Sequence, residues 1–294
     1  MNLTLKQLIV FMSVIRHTNL SAAAEALHMT KGALSQNLAA LEQQLGTRLF
    51  DRRHARLYVN QAGMNLIPLA DELLTRAKYL EEKFSHSAAP PAIKVGCTKS
   101  IGSFLLPAML SDFKREAGWL PEVITENIHA IHGLLNRFDI DIALLEGPVV
   151  DISQQSQLWM QDEMVVVASR SHPLAGESVV SYARLSQEKW ILRETESASR
   201  HYFDNQLAMK LDNPQIAISL NSFDAILSSV HHQLGITFIS RACLNNPFYG
   251  PHLVQLAVED SFFRNLYIVY QKEKYLSPPI VEWVNFLKSQ ISKD

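Results

Sequence analysis

The chain has 294 residues, more than a single typical domain contains, and this length predicts two or three compact units. Apolar residues make up 47% of the sequence and charged residues 19%, which suffices for globular cores and excludes a wholly disordered chain. No run of about 18 apolar residues occurs, and the start of the chain lacks a secretory pattern, so we expect neither a membrane segment nor export. Cys97 and Cys243 lie far apart with no C-x-x-C spacing, so we expect no structural disulfide and a cytoplasmic location.

The net charge of −2 hides an asymmetry along the chain. Residues 1–60 hold seven Lys and Arg residues and three acidic residues, which leaves 20 basic and 26 acidic residues for the remainder. The first 60 residues therefore carry +4 and the rest −6. A basic head on an acidic body indicates that only the head meets a polyanion such as double-stranded DNA.

The first half of the head predicts two helices. Thr4 and Gln7 form a capping-box pattern, and apolar residues then recur at helical spacing over residues 5–16. Residues 17–19 break this helix. Ser21 is expected to cap a short second helix over residues 22–27, whose alanines let another helix approach closely.

A third helix completes the predicted head. We expect Thr30 to cap it, Gly46 to end it, and the leucines at positions 34, 38, 41 and 45 to face inward. Two short helices that are joined by a tight turn and packed on a first helix form a helix-turn-helix. In such a unit the start of the second helix of the pair enters the major groove of DNA.

Polar residues occupy the positions that would face the DNA. On the third helix, opposite the leucines, these residues are Lys31, Gly32, Ser35 and Gln36. Lysine donates to guanine or phosphate, glutamine pairs with adenine through two hydrogen bonds, and serine contacts a base or a phosphate. The helix-start hydroxyls of Ser21 and Thr30 can bind phosphate oxygens.

Two short apolar strands around residues 48–50 and 57–59 flank a basic tip, which is typical of a wing. Arg52, Arg53 and Arg56 are expected to grip the DNA backbone or a narrow minor groove. Taken one at a time, these arginines can also be ordinary solvated surface charges. The combination of three helices, a basic wing and the charge asymmetry favours DNA binding.

The same sixty residues resemble the DNA-binding domain of LysR-type transcriptional regulators. The resemblance rests on L-x-Q-L-x-x-F at residues 5–11, N-L-S-A-A-A-E-A-L-H-M-T-K-G-A-L-S-Q-N-L at 19–38, L-E-x-x-L-G-x-R-L-F-D-R at 41–52 and N-Q-A-G at 60–63. The family usually has Gln-Pro where this chain has Lys31 and Gly32, and often Arg where it has Gln36. The resemblance implies a winged helix-turn-helix, but these departures mean that the family's DNA sequence preference does not carry over.

A long helix is predicted over residues 61–84, with Asn60 as its cap. Six apolar residues spaced 4-3-4-3-4 form a seam along it: Leu66, Ala70, Leu73, Ala77, Leu80 and Phe84. Such a regular seam favours a coiled-coil dimer over a helix packed within its own domain, and the resemblance implies the same role. A homodimer would present two heads to a pseudo-palindromic DNA site.

We therefore divide the chain into a DNA-binding head at residues 1–60, a dimerisation helix at 61–86, a hinge at 87–91 and an effector-binding body at 92–294. Strand-like segments of the body are residues 93–97, 123–126, 140–145, 164–169, 190–193, 217–220, 235–239 and 266–270, and helix-like segments are 101–116, 131–137, 199–211, 223–231 and 279–291. This alternation predicts parallel sheets covered by helices in two small α/β lobes. The expected fold class is α+β multidomain.

Three turns between strands and helices of the body are rich in hydroxyls, at residues 98–100, 194–200 and 221–222. Ligands of such sheets bind beyond the carboxyl ends of the strands, near helix starts. Together the turns suit a small anion or a carboxylate-bearing metabolite, with Lys99 or Arg200 adding positive charge. Taken singly, each turn is better explained as an ordinary helix cap, which Ser, Thr and Asn favour.

The body resembles the effector-binding domain of the same family, which is similar to periplasmic solute-binding proteins that hold a ligand between two lobes. The resembling stretches are I-G-x-x-L-L-P at residues 101–107, D-I-x-x-L-E-G-P at 141–148, W-I-L-R-E at 190–194 and L-G-I-x-x-I-S-R at 234–241. The resemblance implies a cleft near Glu146 that is lined by Thr98, Ser100, Ser197 and Ser222. An acid at position 146 would repel a simple oxyanion unless Lys99 offsets it. The most similar-looking members of the family respond to small anions such as sulfur oxyanions.

Other classes of protein are less well supported. No G-x-S-x-G, P-loop, H-E-x-x-H or G-x-G-x-x-G motif occurs, so we expect no enzyme, no catalytic residue and no cofactor beyond the effector. His129 and His132 have a metal-compatible spacing and His231 is adjacent to His232, but we expect no metal because companion ligands are missing. A periplasmic solute-binding protein would need a leader. A non-specific architectural DNA-binding protein with a non-sensing oligomerisation body is the remaining alternative, and it leaves some 200 residues without a role.

The sequence thus predicts a transcription regulator that reads DNA as a homodimer, with pairing of the bodies into a tetramer as a further possibility. Effector binding is expected to change the closure of the lobes and the spacing of the heads. That change would alter DNA bending or contact with RNA polymerase.

Overall fold

The computed structural model of the protein describes residues 2–17, 19–53, 56–84, 91, 93–147 and 151–290. The head consists of three helices and a two-stranded antiparallel wing: α1 (Leu5–His17), α2 (Leu20–Ala26), α3 (Lys31–Leu45), β1 (Phe50–Arg53) and β2 (Arg56–Val59). The predicted order of three helices followed by a wing is confirmed.

Helix starts in the head follow local side-chain chemistry. The N–H of Thr4 donates to Gln7 Oε1 at 2.9 Å and the N–H of Gln7 donates to Thr4 Oγ1 at 3.3 Å, so the predicted capping box begins α1. Thr30 Oγ1 accepts from the Ala33 N–H at 3.2 Å at the start of α3. Gly46 ends that helix in the left-handed conformation, with φ 69°.

The prediction that Ser21 caps α2 is wrong. Asn19 caps this helix instead, because its Oδ1 accepts from the Ala22 N–H at 2.7 Å. Asparagine is as good a capping residue as serine. Asn19 lies three residues before Ala22, at the position from which a capping side chain reaches that N–H. The helix therefore begins at Leu20, and Ser21 lies exposed within its first turn.

One face of α3 closes the core of the head and the opposite face is exposed. Leu34 and Leu41 are 0% exposed and Leu38 is 5% exposed, all of them packed in the same cluster as residues of α1 and α2. Leu45, which was expected to face inward, is instead 40% exposed. It is the last residue of the helix, directly before the turn at Gly46, and so extends past the core.

The helix α4 (Gln61–Phe84) begins as predicted, with Asn60 Oδ1 accepting from the Gly63 N–H at 3.0 Å. Gly63 passes very close to the wing. A Cβ atom at this position would collide with the carbonyl oxygen of Leu49 and with the side chain of Val59. The glycine of the N-Q-A-G stretch is thus required by the close approach of α4 to the wing.

The apolar seam of α4 divides into two parts. Ala70 is buried in the core of the head and Leu66 packs against the same cluster. Farther along the helix, Leu73, Leu80 and Phe84 are 47%, 56% and 74% exposed. The second part of the seam is therefore an apolar surface of the single chain.

We expect Gly63→Ala to destabilise the head by about 1–3 kcal/mol, because the added methyl group must displace the wing or α4. Gly32→Ala is the matched control, since a Cβ there has no atom within 4 Å, and it should be neutral or stabilise α3 by up to about 1 kcal/mol. Circular dichroism would follow unfolding of the head, and fluorescence of the tryptophans, all of which lie in the body, would follow the body. Equal stability of the two variants would contradict this reading of Gly63.

The body contains a sheet whose strands run in both directions. Its strands are β3 (Lys94–Thr98), β4 (Glu122–Glu126), β5 (Ile142–Glu146), β6 (Gln154–Ser169), β9 (Thr237–Ser240), β10 (Leu253–Leu256) and β11 (Phe262–Gln271), in the order β10-β6-β11-β5-β3-β4 with β9 paired to β6. A second, parallel sheet pairs β7 (Lys189–Arg193) with β8 (Gln215–Leu220). The helices are α5 (Leu106–Ala117), α6 (Ile128–Asn136), α7 (Tyr182–Leu185), α8 (Ala198–Tyr202), α9 (Phe223–His231) and α10 (Pro278–Ser289).

The prediction of purely parallel sheets is therefore wrong for the larger sheet. β3 pairs in parallel with β4 and β5, but β11 pairs antiparallel with β5 and β6, and β6 pairs antiparallel with β9 and β10. The physical reason lies in β6 and β11, two long strands that run in opposite directions across the whole body. The alternating pattern of short segments revealed neither their length nor their pairing.

These two strands join two lobes, each with its own hydrophobic core. Lobe I comprises β3, β4, β5, α5, α6 and α10, and its core includes Phe113 and Trp283. Lobe II comprises β7 to β10 and α7 to α9, and its core includes Trp190 and Phe203. The register between β6 and β11 shifts near Leu266, between the two lobes.

Ion pairs connect α4, and the head next to it, to lobe I. The Lys274 ammonium, just after β11, lies 2.8 Å from Asp71 Oδ2 of α4 and 2.7 Å from Asp141 Oδ1 before β5. Burial alone would lower the pKa of Lys274, but the two carboxylates outweigh it and raise the pKa above its ordinary value. Nearby, Arg16 Nε of α1 pairs with Asp139 Oδ1 at 3.0 Å. We call Lys274, Asp71 and Asp141 the latch.

We expect Asp71→Asn to loosen the contact between α4 and lobe I by about 1.5–3 kcal/mol, the usual contribution of a buried hydrogen bond to a charged group. Amide hydrogen exchange in the middle of α4 should accelerate accordingly. Glu72→Gln is the control, because Glu72 pairs with Arg76 at the surface of the same helix, and its loss should cost less than about 0.5 kcal/mol. If both variants leave exchange unchanged, the latch does not hold α4.

Candidate functional site

The first candidate site is the exposed face of α3. Lys31, Gly32 and Gln36 are exposed and Ser35 is half-buried, on the side opposite the buried leucines. Thr30, which caps the helix, is exposed too. The fold thus brings these five sequence-predicted residues together at one helix start, where backbone N–H groups and the helix dipole also favour phosphate.

The other predicted DNA-contacting residues are placed less fully. Ser21 is exposed in the first turn of α2, the helix that precedes α3. Arg52, Arg53 and Arg56 belong to the two strands of the wing. Their side chains and residues 54–55 lie outside the described part of the chain, as do residues 85–90 of the linker and hinge.

The second candidate site lies where the two lobes meet, and Arg264 of β11 is at its centre. The guanidinium is buried. Its Nε donates to Asp162 Oδ2 at 2.9 Å, its Nη1 donates to Ser199 Oγ at 3.0 Å, and its Nη2 donates to Ser100 Oγ at 2.8 Å. Glu146 Oε1 lies 3.5 Å from Nη1. One side chain therefore binds lobe I, through Ser100 and Glu146, and lobe II, through Ser199.

Two further hydrogen bonds complete this network. Ser100 Oγ donates to Glu146 Oε1 in a short hydrogen bond. On the other side, Ser240 Oγ of β9 donates to Asp162 Oδ1 at 2.6 Å. Ser100, a residue predicted from the sequence, is consequently both an acceptor from Arg264 and a donor to Glu146.

Lys99 and Arg193 bring two more cations to the cleft, and both are already paired. Arg193 is buried, donates to both carboxylate oxygens of Glu194 at 2.7 and 2.8 Å, and stacks on the Phe223 ring. Lys99 Nζ donates to the carbonyl oxygen of Asn221 at 3.4 Å and lies 4.0 Å from Glu194 Oε1. Burial raises the pKa of Glu194, but the hydrogen bonds and charge of Arg193 outweigh it, so the pKa lies below its usual value.

The structure brings most of the predicted effector residues to one small cavity of about 10 Å³. Thr98, Lys99, Ser100, Glu146 and Ser197 line it. Ser222 does not: it caps α9 by accepting from the Ala225 N–H at 3.4 Å and lines a neighbouring cavity of about 320 Å³, with Lys99 shared between the two.

Several residues of the cleft were missed by sequence reasoning: Arg264, Asp162, Arg193, Ser199 and Ser240. Arg264 had a usable signal, since it follows two phenylalanines and directly precedes the predicted strand at residues 266–270, whereas Asp162 lies in a polar stretch and had none. Buried charges require partners, so such residues mark internal ion pairs or binding sites. Their partnership with each other, 102 positions apart along the chain, depends on the pairing of β6 with β11.

The two cysteines are core residues. Both are 0% exposed, and burial raises the pKa of Cys97 to about 11 and that of Cys243 to about 12. Neither is a thiolate at neutral pH, which argues against a thiol-based sensor. Within the described ranges, no group of three or more His, Cys, Asp or Glu side chains is arranged to hold a metal ion, and none of the helices has the length and apolar character that crossing a bilayer requires.

Two family models match the chain. Residues 5–64 match the bacterial regulatory helix-turn-helix protein of the lysR family, and residues 88–292 match the LysR substrate binding domain. Together they span both candidate sites, since the first covers α3 and the wing and the second covers the cleft.

Several known proteins are similar to this chain over most of their own length. The uncharacterized HTH-type transcriptional regulator YeiE of Escherichia coli (strain K12) is 32% identical over 288 residues, which is 97% of each chain. The structure of a full-length OxyR variant from Pseudomonas aeruginosa covers 100% of this chain and 96% of its own, with a TM-score of 0.74 and 18% identity. The regulatory domain of CcmR from Synechocystis PCC6803, solved in complex with 2-PG, covers 69% of this chain and 98% of its own, with a TM-score of 0.62 and 22% identity. Because one family model matches the head, a second matches the body, and YeiE is 32% identical over 97% of the chain, the chain belongs to the LysR family of transcriptional regulators.

Proposed function

We propose that this regulator binds a pseudo-palindromic promoter site in double-stranded DNA as a cytoplasmic homodimer, through the start of α3 and the arginines of the wing, and that its body binds a small, acidic metabolite. The observation that carries the DNA-binding part is the two-sided character of α3. Its leucines are buried, whereas Lys31, Gly32 and Gln36 are exposed beside the N–H groups of the helix start. A helix with this division can enter the major groove without disturbing its own core.

The exposed residues suit different tasks in that groove. Gln36 can make two hydrogen bonds to adenine and so read a base, while Lys31 can contact guanine or phosphate. Ser21, Thr30 and Ser35 supply hydroxyls for phosphate or base contacts. At Gly32 the open space around the Cβ position lets the DNA backbone approach α3 closely.

We expect Gln36→Ala to change base preference, at about 1–3 kcal/mol for the contacted position, because a bidentate contact to one base is lost. Arg52→Ala should instead weaken binding to all DNA sequences alike. The slope of log affinity against log salt concentration should fall by about one. Binding measured against a randomised DNA library would separate the two effects. If Gln36→Ala leaves the base preference unchanged, Gln36 does not read a base. If footprinting of the wild-type protein shows no dyad-symmetric protected site, a non-specific architectural protein is favoured instead.

The dimer is proposed to form along the exposed part of the α4 seam. Leu73, Leu80 and Phe84 present a continuous apolar surface at coiled-coil spacing. Burying this surface against a second copy supplies the hydrophobic driving force for pairing, and two heads on a dimer suit a DNA site with two half-sites. Pairing of the bodies into a tetramer and contact with RNA polymerase are further steps of the same proposal.

We expect Leu80→Asp to shift the protein from dimer to monomer and to lower its DNA affinity, because a carboxylate would be buried in the interface. Met209→Asp is the control, since Met209 is 79% exposed on the body, away from the seam. Light scattering coupled to gel filtration gives the mass directly. A Leu80→Asp protein that stays dimeric at micromolar concentration would show that the interface lies elsewhere.

The coupling between ligand and DNA is proposed to run through β5 and β11. β5 ends in the cleft at Glu146 and begins beside Asp141 of the latch, while β11 carries Arg264 in the cleft and leads to Lys274 of the latch. The two strands are hydrogen-bonded neighbours. A ligand that binds one lobe arrangement better than another would therefore bias the attachment of α4, and with it the spacing of the heads.

A further inference from the structure

The cleft contains hydrogen-bond acceptors that the protein itself leaves without donors. Among the described residues, Glu146 Oε2 and Thr98 Oγ1 have no hydrogen-bond partner. Both residues are more than nine-tenths buried, at 7% and 4% exposure, and both line the small cavity between the lobes. A buried carboxylate oxygen without a partner is unfavourable, so the site calls for a group that donates to it.

The neighbouring hydroxyl cannot supply that donor. The single hydrogen of Ser100 Oγ is used toward Glu146 Oε1, and its oxygen already accepts from Arg264 Nη2. An anion reaching Ser100 would therefore meet an oxygen and the Glu146 carboxylate, and no free hydroxyl hydrogen.

The cations around the cavity are also balanced by the protein's own acids. Arg264 pairs with Asp162 at 2.7 Å. Arg193 and Lys99 both face Glu194, the first through two hydrogen bonds and the second at 4.0 Å. A fully ionised oxyanion entering the cleft would thus be repelled by Glu146 without gaining an uncommitted positive partner among these residues.

We infer that Glu146 is the specificity-determining acid of the cleft: it selects a small anion that brings a hydrogen-bond donor of its own and rejects anions that have none. The class includes protonated oxyanions and hydroxy acids. The ligand's hydroxyl or protonated oxygen donates to Glu146 Oε2, while another of its oxygens accepts from the Thr98 hydroxyl, which also lacks a partner. This inference rests on the proposed sensing role of the body and narrows the acidic metabolites that the body accepts.

The space in the cleft sets the scale of the ligand's donor group. The cavity of about 10 Å³ admits a group about as large as one water molecule while the lobes are in contact. The rest of the ligand is accommodated as the lobes separate at Arg264. The discriminating contact is therefore made by a single hydroxyl-sized group at Glu146.

Phosphate and sulfate form a matched pair of probes for this inference. Both are tetrahedral and similar in size, but at pH 7 phosphate carries at least one proton and sulfate carries none. Equilibrium dialysis of the full chain against each labelled ion, at fixed ionic strength, measures the two dissociation constants. We expect the wild-type protein to prefer phosphate by at least about tenfold, and Glu146→Gln to bind sulfate at least about tenfold more tightly than wild type does, because a charge repulsion is removed and an amide donor is added.

Glu122→Gln is the control, since Glu122 is exposed, pairs with Lys94 at the surface and is not part of the cavity lining, and the variant has the same change in net charge. It should leave the preference unchanged. Wild-type protein that binds sulfate as tightly as phosphate overturns the inference, and this measurement needs no variant. A Glu146→Gln protein that does not bind sulfate more tightly than wild type also overturns the inference. This holds even if the wild-type protein binds neither ion. DNA binding is measured on the same samples, so that failure of this inference can be distinguished from failure of the proposed function. A protein that binds its DNA site specifically but shows no preference for phosphate contradicts this inference and leaves the proposed DNA-binding function intact.

Discussion

The Arg264 guanidinium connects the two lobes of the body, and much of the rest of the structure depends on it. A buried arginine is tolerated when each of its N–H groups has a partner, and here the partners come from both lobes: Ser100 and Glu146 on one side and Ser199 on the other. Asp162, next to Arg264 on the neighbouring strand, balances the charge. The contact between the lobes is therefore polar and specific, which suits a joint that opens for a ligand better than an apolar interface does.

The position of this arginine on β11 links the cleft to the head. β11 and its neighbour β5 carry charges at both ends, in the cleft and beside α4, and the two strands are hydrogen-bonded to each other. At the far end, Lys274 holds Asp71 of α4 and Asp141 together in a buried cluster. Breaking such a cluster is costly, so α4 is expected to change between discrete arrangements and not to drift.

The fold alone does not determine which ligand the body accepts, and the side chains of the cleft therefore matter most. Both cysteines are buried, and burial raises their pKa values to about 11 and about 12, so neither is a candidate reactive thiol. In this chain a carboxylate, Glu146, faces the cavity where the effector is proposed to bind. Within one fold, the identity of a few side chains at strand ends decides which ligand is accepted.

The head could be predicted from the sequence almost completely, because a capping box, a leucine face at helical spacing and a glycine at a helix end act over a few residues. The one misplaced cap, Ser21 instead of Asn19, was a choice between two residues of similar propensity. The hydroxyl-rich turn at residues 98–100 indicated Thr98 and Ser100, whereas Glu146 was placed near the cleft by the family resemblance alone. Only the tertiary structure determined three features: the antiparallel pairing of β6 with β11, the ion pair between Arg264 and Asp162, and the latch between Asp71 and Lys274. These join residues more than a hundred positions apart, and no local periodicity specifies which distant segments pair, since that choice is made by burial and charge compensation in the whole fold.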